Sequence, residues 1–413
     1  MRFIHAADIH LDSPLRGLGS YEDMPVETLR GATRAAFTRL VDEAIAMDVD
    51  FMVIAGDVYD GDWRDHNTGL YFARQMGRLR AADIPVYLLH GNHDAESVMT
   101  RSLEMPDNVH VFSSRAPSTF TLERHKVALH GRSFPEAAVT DNIAAEYPPP
   151  VPGYFNIGVL HTALEGNARH ANYAPCTLEQ LQAGGYQYWA LGHVHDFRVF
   201  PGAVPVVFPG NLQGRHIREQ GEKGAVLVSC TDHHVESTDR LIVDVLRWQE
   251  LRLDVSGHES RAEIMAAVGE ALEETLRSFP DDKPCVLRLV LQGESPLYGQ
   301  LQAERTQLRT DVVGKIAGLS DGRMWLEKLS LDIRPPRRAA NEAIADDLAA
   351  LLAETARDPA FQQAFLQSLQ GLRDKASFEL AREPVFQALR EGKVDDLLQE
   401  AAAAVLDRLG REV

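Results

Sequence analysis

Apolar residues along the first 245 positions fall into short runs, each closed by a polar cluster. Residues 3–7, 51–55, 86–90, 154–160 and 186–191 read as strands of the length and composition that sheets bury. Between them the period lengthens. Residues 27–47 carry Leu29, Ala36, Leu40 and Ile45 at helical spacing, 67–81 repeat the pattern, and 178–183 form a shorter helical stretch. Residues 223–229 and 240–245 read as closing antiparallel strands. The alternation predicts an α/β fold with a two-layered sheet core and helices outside. A proline-rich spacer begins at Tyr147 and stays extended before the strand at 154–160.

A second unit follows at 246–335. Residues 250–255 read as strand, 259–279 as helix, 284–292 as strand, 301–317 as helix and 324–333 as strand. After Arg334-Pro-Pro-Arg-Arg the composition shifts to Ala, Leu, Gln and charge, which marks 336–413 as a helical C-terminal region. Residues 341–357 carry Ile344, Leu348, Leu351 and Leu352 on one face, and 391–409 carry Val394, Leu397, Leu398 and Val405. Such stripes ordinarily serve packing within the chain.

The polar clusters hold the chemistry. They are Asp8-Ile9-His10, Gly56-Asp57, Gly91-Asn92-His93-Asp94, His161 and Gly192-His193-Val194-His195, each at the carboxyl end of a strand-like run. Ligands of open α/β sheets gather at that edge, so the five clusters describe one site. Asp, Asn and neutral His are O and N ligands, and no Cys lies near, which suits hard or borderline divalent cations. A spacing of two in an extended segment points Asp8 and His10 to the same side, and His193 and His195 repeat it. Seven plausible ligands exceed the needs of one ion and suit two that share a carboxylate, with Asp57 the natural bridge. Two metals about 3.5–4 Å apart clamp the attacking and leaving oxygens of an in-line phosphoryl displacement.

The order Asp-x-His, Gly-Asp-x-x-Asp, Gly-Asn-His-Asp, His, Gly-His-x-His resembles the calcineurin-like metallophosphoesterases. The opening Phe3-Ile-His-Ala-Ala-Asp-Ile-His-Leu-Asp-Ser-Pro-Leu15 and the later Phe208-Pro-Gly-Asn-Leu-Gln-Gly-Arg-His-Ile-Arg-Glu219 are similar to the DNA-repair exonuclease branch, with its SbcD- and YhaO-type proteins. The resemblance covers roughly the first 240 residues and weakens beyond them. It implies a metallophosphoesterase sandwich of mixed β-sheets flanked by helices over 1–245, a small α/β capping domain over 246–335 and a helical tail. It further implies that Asp8, His10, Asp57 and His195 hold one ion, and Asp57, Asn92, His161 and His193 the other. Manganese is the expected metal, and the nucleophile is a water that the metals activate. His93 takes the place of the catalytic histidine. Asp60 stands where some relatives carry a second histidine. Asp94 is expected to orient His93 or to cap the following helix.

Other residues divide between function and packing. His5, His90 and His130 sit in or beside apolar runs and read as core histidines. Arg215 and His216 could reach a substrate phosphate or belong to a surface loop. Three scattered cysteines, Cys176, Cys230 and Cys285, with no CxxC, argue against a disulfide framework and a zinc ribbon. The chain enters its first strand at once and no apolar stretch reaches the ~20 residues of a membrane span. A cytoplasmic enzyme without membrane contact is therefore expected.

Charge complicates the nucleic-acid reading. Sixty acidic residues stand against 42 Lys and Arg, a net charge of −18, where a DNA binder ordinarily shows a basic face. Arg16, Arg215 and Arg218 add only a little. Either a partner supplies the basic track or the substrate is smaller than a duplex. The resemblance implies DNA as substrate and a coiled-coil, SMC-like ATPase as partner, and leaves a homodimer open. The expected activity is that of a two-metal DNA exonuclease or endonuclease in repair. The alternatives are a phosphodiesterase or phosphatase on nucleotides or small phosphoesters, and a non-catalytic scaffold.

Overall fold

Along Arg2–Ala6, side chains alternate between two destinations, and this alternation fixes the layers. Phe3 faces a core shared with Phe51, Val53, Leu129, Ile157, Tyr188 and Val207. Ile4 and Ala6 face the other way, into a core with Phe37, Leu40, Phe72 and Met76. The computed structural model describes residues 1–13, 31–60, 66–96, 104–164, 173–231, 234–280, 283–336 and 342–375, with 398, 401, 402 and 404. Arg16, the start of the helix expected at 27–47 and most of the stripe at 391–409 lie outside these residues.

In chain order the strands are β1 (Arg2–Ala6), β2 (Phe51–Ala55), β3 (Val86–Leu89), β4 (Val109–Val111), β5 (Ser118–Leu122) and β6 (Val127–Gly131). Then come β7 (Phe155–His161), β8 (Tyr188–Gly192), β9 (Arg198–Phe200), β10 (Val206–Phe208), β11 (Gly224–Thr231) and β12 (His234–Ile242). They form two six-stranded sheets, β12-β11-β1-β2-β3-β4 and β5-β6-β7-β8-β10-β9. Both are mixed. In the first, β1 to β4 run parallel and β11 and β12 close it antiparallel. In the second, β6, β7, β8 and β10 are parallel, with antiparallel β5 and β9 at the edges.

Helices α1 (Ala32–Ala46) and α2 (His66–Ala81) cover the outer face of the first sheet. A short α3 (Asn92–Glu96) follows β3. Helix α4 (Leu178–Ala183) packs Leu181 outside the second sheet with Leu160, Trp189 and Phe208, and Thr177 caps its amino end. The result is the expected α/β sandwich. Its central strands are buried on both faces, which accounts for their near-continuous apolar runs. The parallel order also carries the carboxyl ends of β1, β2, β3, β7 and β8 to one edge.

The chain divides into two compact units, Met1–Glu250 with Phe279–Arg288 and Ser320–Glu327, and Leu251–Ser278 with Leu289–Leu319 and Lys328–Val413. A third sheet has the order β13 (Arg247–Asp254), β14 (Cys285–Glu294), β15 (Met324–Arg334). Helix α5 (Arg261–Ser278) lies in the second unit. The single helix expected at 301–317 is instead two, α6 (Tyr298–Ala303) and α7 (Arg305–Ser320). The break is at Glu304, which leaves helical geometry (φ −99°, ψ 20°) while its carboxylate pairs with Arg261. Helices α8 (Glu342–Arg357) and α9 (Pro359–Lys375) follow. The three cysteines are buried and free, and no helix among the described residues is long and apolar enough to cross a membrane.

Candidate metal centre

Backbone hydrogen bonds zip the loop after β1 to the loop after β2. Asp8 N donates to Gly56 O (3.0 Å), His10 N to Asp57 O (3.0 Å) and Leu11 N to Val58 O (2.9 Å). The segment is not extended, contrary to what the spacing predicts. Asp8, His10 and Asp57 have φ of 50°, 45° and 54°, and His193 has 101°. Such left-handed residues cost of order 1–3 kcal/mol each and concentrate at functional sites. Two residues of separation still bring Asp8 and His10 into one cluster, with His195. His193 and His195 do not share a side: His195 joins Asp8 and His10, whereas His193 joins Asp57 and His161.

Two glycines make the approach of the loops possible. A Cβ on Gly91 would run into Asp57 Oδ1 and stand 2.8 Å from the His161 ring, and one on Gly192 would strike the carbonyl of Ala55. His161, the last residue of β7, directs Nδ1 at Ala55 O (2.9 Å) and Nε2 at Asn92 Oδ1 (3.0 Å) and Asp57 Oδ2 (3.4 Å). Asp57 Oδ1 meanwhile accepts from the backbone N–H of His93 (3.0 Å). Asp8, fully buried, receives the His193 N–H on both oxygens (3.1 and 3.0 Å).

On the other side, His10 Nε2 and His195 Nε2 stand 3.2 Å apart. Asp8 Oδ1 is 3.9 Å from the His195 nitrogen, and Asp57 Oδ2 is 3.9 Å from that of His10. His195 Nδ1 faces Glu219 Oε1 (2.8 Å), with Arg215 Nη2 at 3.2 Å, and His10 Nδ1 lies 3.5 Å from Asp60 Oδ1. The two Nε2 atoms converge between the carboxylates of Asp8 and Asp57, a set of O and N donors that fits a divalent ion. Asp57, within reach of both clusters, stands where a bridging carboxylate is needed.

Burial and mutual charge tune these groups strongly. Burial lifts the Asp8 carboxyl to about 6, and burial, aided by the charge of Arg215, lowers His10 to about 3. Burial would also raise Asp57, but the charge of His161 and its hydrogen bond hold it well below the usual carboxylate range. His161 is raised in turn to about 9: burial opposes its charge, and Asp57 more than offsets burial. Without metal, the Asp57–His161 contact is a buried ion pair whose proton occupies the place of a cation.

His93 is the most open of these histidines, with a side chain 37% exposed, and its Nδ1 lies 3.5 Å from Asp60 Oδ1. Asp60, not Asp94, therefore faces His93. The Asp94 carboxylate accepts from Gly91 N (3.1 Å) and Tyr59 N (3.0 Å), closing the start of α3 in the manner of a capping box and tying it to the β2 loop. Arg215 is brought into the cluster: its Nη1 lies 3.4 Å from Ser13 Oγ and 3.9 Å from Asp60 Oδ1. His216 stays at the rim, half-buried, with Nε2 3.7 Å from Glu219 Oε1. His5 and His130 are core residues with both ring nitrogens bonded, to Tyr188 and Leu191 O and to Thr119 and Asn156. His90 is only partly buried and lines an apolar cavity of about 230 Å³ with Tyr59, Phe72 and Met105. Sequence reasoning misses Glu219, whose only signal is its place at the end of the Phe208–Glu219 stretch.

Sheet order, strand-end clusters and convergent ring nitrogens define a metal-dependent phosphoesterase, and a profile described as "Calcineurin-like phosphoesterase" matches residues 1–197. The chain belongs to the calcineurin-like metallophosphoesterases. A second profile, "Metallophosphoesterase YhaO, middle domain", matches 248–334. The chain is 37% identical over 301 residues to the "Uncharacterized metallophosphoesterase YhaO" of Bacillus subtilis, covering 72% of each protein. It is 30% identical over 217 residues to the "DNA double-strand break repair protein Mre11" of Methanopyrus kandleri, 47% of this chain and 44% of that one. It is 32% identical over 144 residues to the SbcD component of the nuclease SbcCD of Rhodobacter capsulatus, 32% of each.

Proposed function

We propose that this chain is a two-metal phosphodiesterase that cleaves DNA, with manganese as its activating ion and an SMC-like coiled-coil ATPase as its partner. The observation that carries the reading is the pairing of two donor clusters, Asp8/His10/His195 and Asp57/His161/His193, around one shared carboxylate. Asp8, His10, Asp57 and His195 hold one ion; Asp57, Asn92, His161 and His193 hold the other. Bound there, the two ions supply Lewis-acid activation of a phosphoester and of a water. His93, with Nδ1 toward Asp60, leaves Nε2 to meet the phosphate and, as an imidazolium that becomes neutral in the step, to pass its Nε2 proton to the departing oxygen. Arg215 Nη1 anchors a phosphate oxygen from the side of Ser13 and Asp60, with His216 at the rim. In this reading residues 1–245 are the nuclease domain, 246–335 the α/β capping domain and 336–413 a helical docking region.

DNA is favoured over small esters by the similarity to Mre11 and SbcD proteins, whose names carry repair and nuclease activity. The net charge of −18 supports a partner that supplies the basic track, and it equally favours the second reading, a phosphodiesterase on nucleotides. The test is direct. Protein stripped with chelator should leave linear DNA intact, Mn²⁺ should start its degradation, and the ATPase should increase it. DNA left intact with metal and partner, alongside cleaved nucleotides, decides for the second reading.

A further inference from the structure

Glu219 is a buried carboxylate with five donors on its two oxygens. Its Oε1 takes His195 Nδ1 (2.8 Å) and Arg215 Nη2 (2.9 Å). Its Oε2 takes Asn211 Nδ2 (3.0 Å), Arg215 N (2.8 Å) and Arg215 Nε (3.3 Å). One side chain therefore grips both a histidine of the candidate metal centre and the arginine beside it. We propose that Glu219 is a positioning residue, fixing His195 with Nε2 toward Asp8 and His10 and holding the Arg215 guanidinium on the Ser13–Asp60 side. The proposal rests on the two-metal reading above and adds to it a residue that neither His195 nor Arg215 can do without.

The physical reason is orientational. An imidazole can turn about its χ2 axis and can carry its proton on either nitrogen. A carboxylate 2.8 Å from Nδ1, nearer than the Arg215 Nη2 donor at 3.2 Å, favours one ring orientation and the Nδ1–H tautomer, and leaves Nε2 with a lone pair. The loop itself is held by other groups. Lys223 Nζ donates to His195 O (2.9 Å), which fixes the backbone whether or not Glu219 is present. The segment carrying Arg215 and Glu219 is likewise tied down, since Trp248 Nε1 donates to Gly214 O (2.9 Å) and Val245 N to Gln213 Oε1 (2.9 Å). Removing the Glu219 charge should free the His195 ring without unfolding its surroundings.

In Glu219→Gln the charge is lost and the amide nitrogen meets donors whichever way it turns, His195 Nδ1 and Arg215 Nη2 at one position or Asn211 Nδ2 and the Arg215 N–H groups at the other, so the grip on His195 and Arg215 together cannot be kept. Electron paramagnetic resonance titration of the full chain with Mn²⁺ reads the effect without catalysis. The wild type should bind two ions. Glu219→Gln should bind one of them about 10–100-fold more weakly, the usual cost of losing such a partner, and the other within about threefold. Equal weakening of both ions would indicate a general structural role and overturn the proposal, as would wild-type affinity at both. A wild type that binds fewer than two ions sinks the two-metal reading itself. Near-ultraviolet circular dichroism checks the fold. Should Glu219→Gln fail that check, Glu219→Asp, which keeps the charge but falls one methylene short of His195, is expected to weaken the same single ion.

Discussion

Replacing His93 with alanine separates chemistry from metal binding, and the geometry sets the size of each effect. The bond that supports Asp57 comes from the backbone N–H of residue 93, at 3.0 Å, and alanine keeps it. The lost side chain is 37% exposed and touches its neighbours lightly, ring to ring with His10 at 5.1 Å. Stability should therefore fall by no more than ~0.5–1.5 kcal/mol. Both ions should remain. Turnover should fall by about 10²–10⁴-fold, the range for a positioned acid–base group. That corresponds to roughly 3–5 kcal/mol of barrier. The assay is cleavage of linear DNA in Mn²⁺, with bis-p-nitrophenyl phosphate as the comparison substrate and metal content measured on the same sample. KM should change little, and the defect should be smaller for p-nitrophenol than for an alkoxide leaving group, which needs the proton more. Loss of metal from the variant would refute the reasoning by making His93 a ligand. Full activity on DNA would move the catalytic role elsewhere, with His216 the next residue to test.

Asp57→Ala should lose both ions, measured by elemental analysis after gel filtration, because this carboxylate lies within reach of His10 and His161 alike; survival of both ions would end its bridging role. Gly91→Ala should destabilise the metal-free protein by about 1–3 kcal/mol in urea unfolding, since the new Cβ meets Asp57 and the His161 ring. Unchanged stability would mean that the loops do not approach as described. His5 is neutral in the fold, its pKa lowered to about 3 by burial, while in the unfolded chain it titrates near 6.5. A lowered pKa means that stability is fully present above about 6.5 and is lost as pH falls toward 3. Between pH 6.5 and 5 this one group should cost about 1.6 kcal/mol, and in His5→Gln the decline over that interval should be smaller by that amount. An identical decline in both proteins would contradict the burial argument.

Local pattern alone determined a good part of this protein. Strand Phe51–Ala55 and helix Leu178–Ala183 fall where the periodicity puts them, because a strand buried on both faces and a capped amphipathic turn are written in adjacent residues. The assembly of Asp8, His10, Asp57, Asn92, His161, His193 and His195 is legible for the same reason: polar residues that close buried parallel strands must emerge at one edge. The short half-exposed strands β4 and β5 carry too little apolar signal to be read this way. Tertiary structure alone decided the rest. The left-handed turns at Asp8 and His10 exist because the β1 loop is bonded to the β2 loop 48 residues away, an energy that no local propensity contains. Asp60 rather than Asp94 faces His93, since Asp94 is consumed by backbone amides of two loops. Glu219 reaches His195 only because the chain returns past β8 after a 24-residue excursion. Residue type and spacing say which groups can bind or transfer; only the packed chain says which partner holds each of them in place.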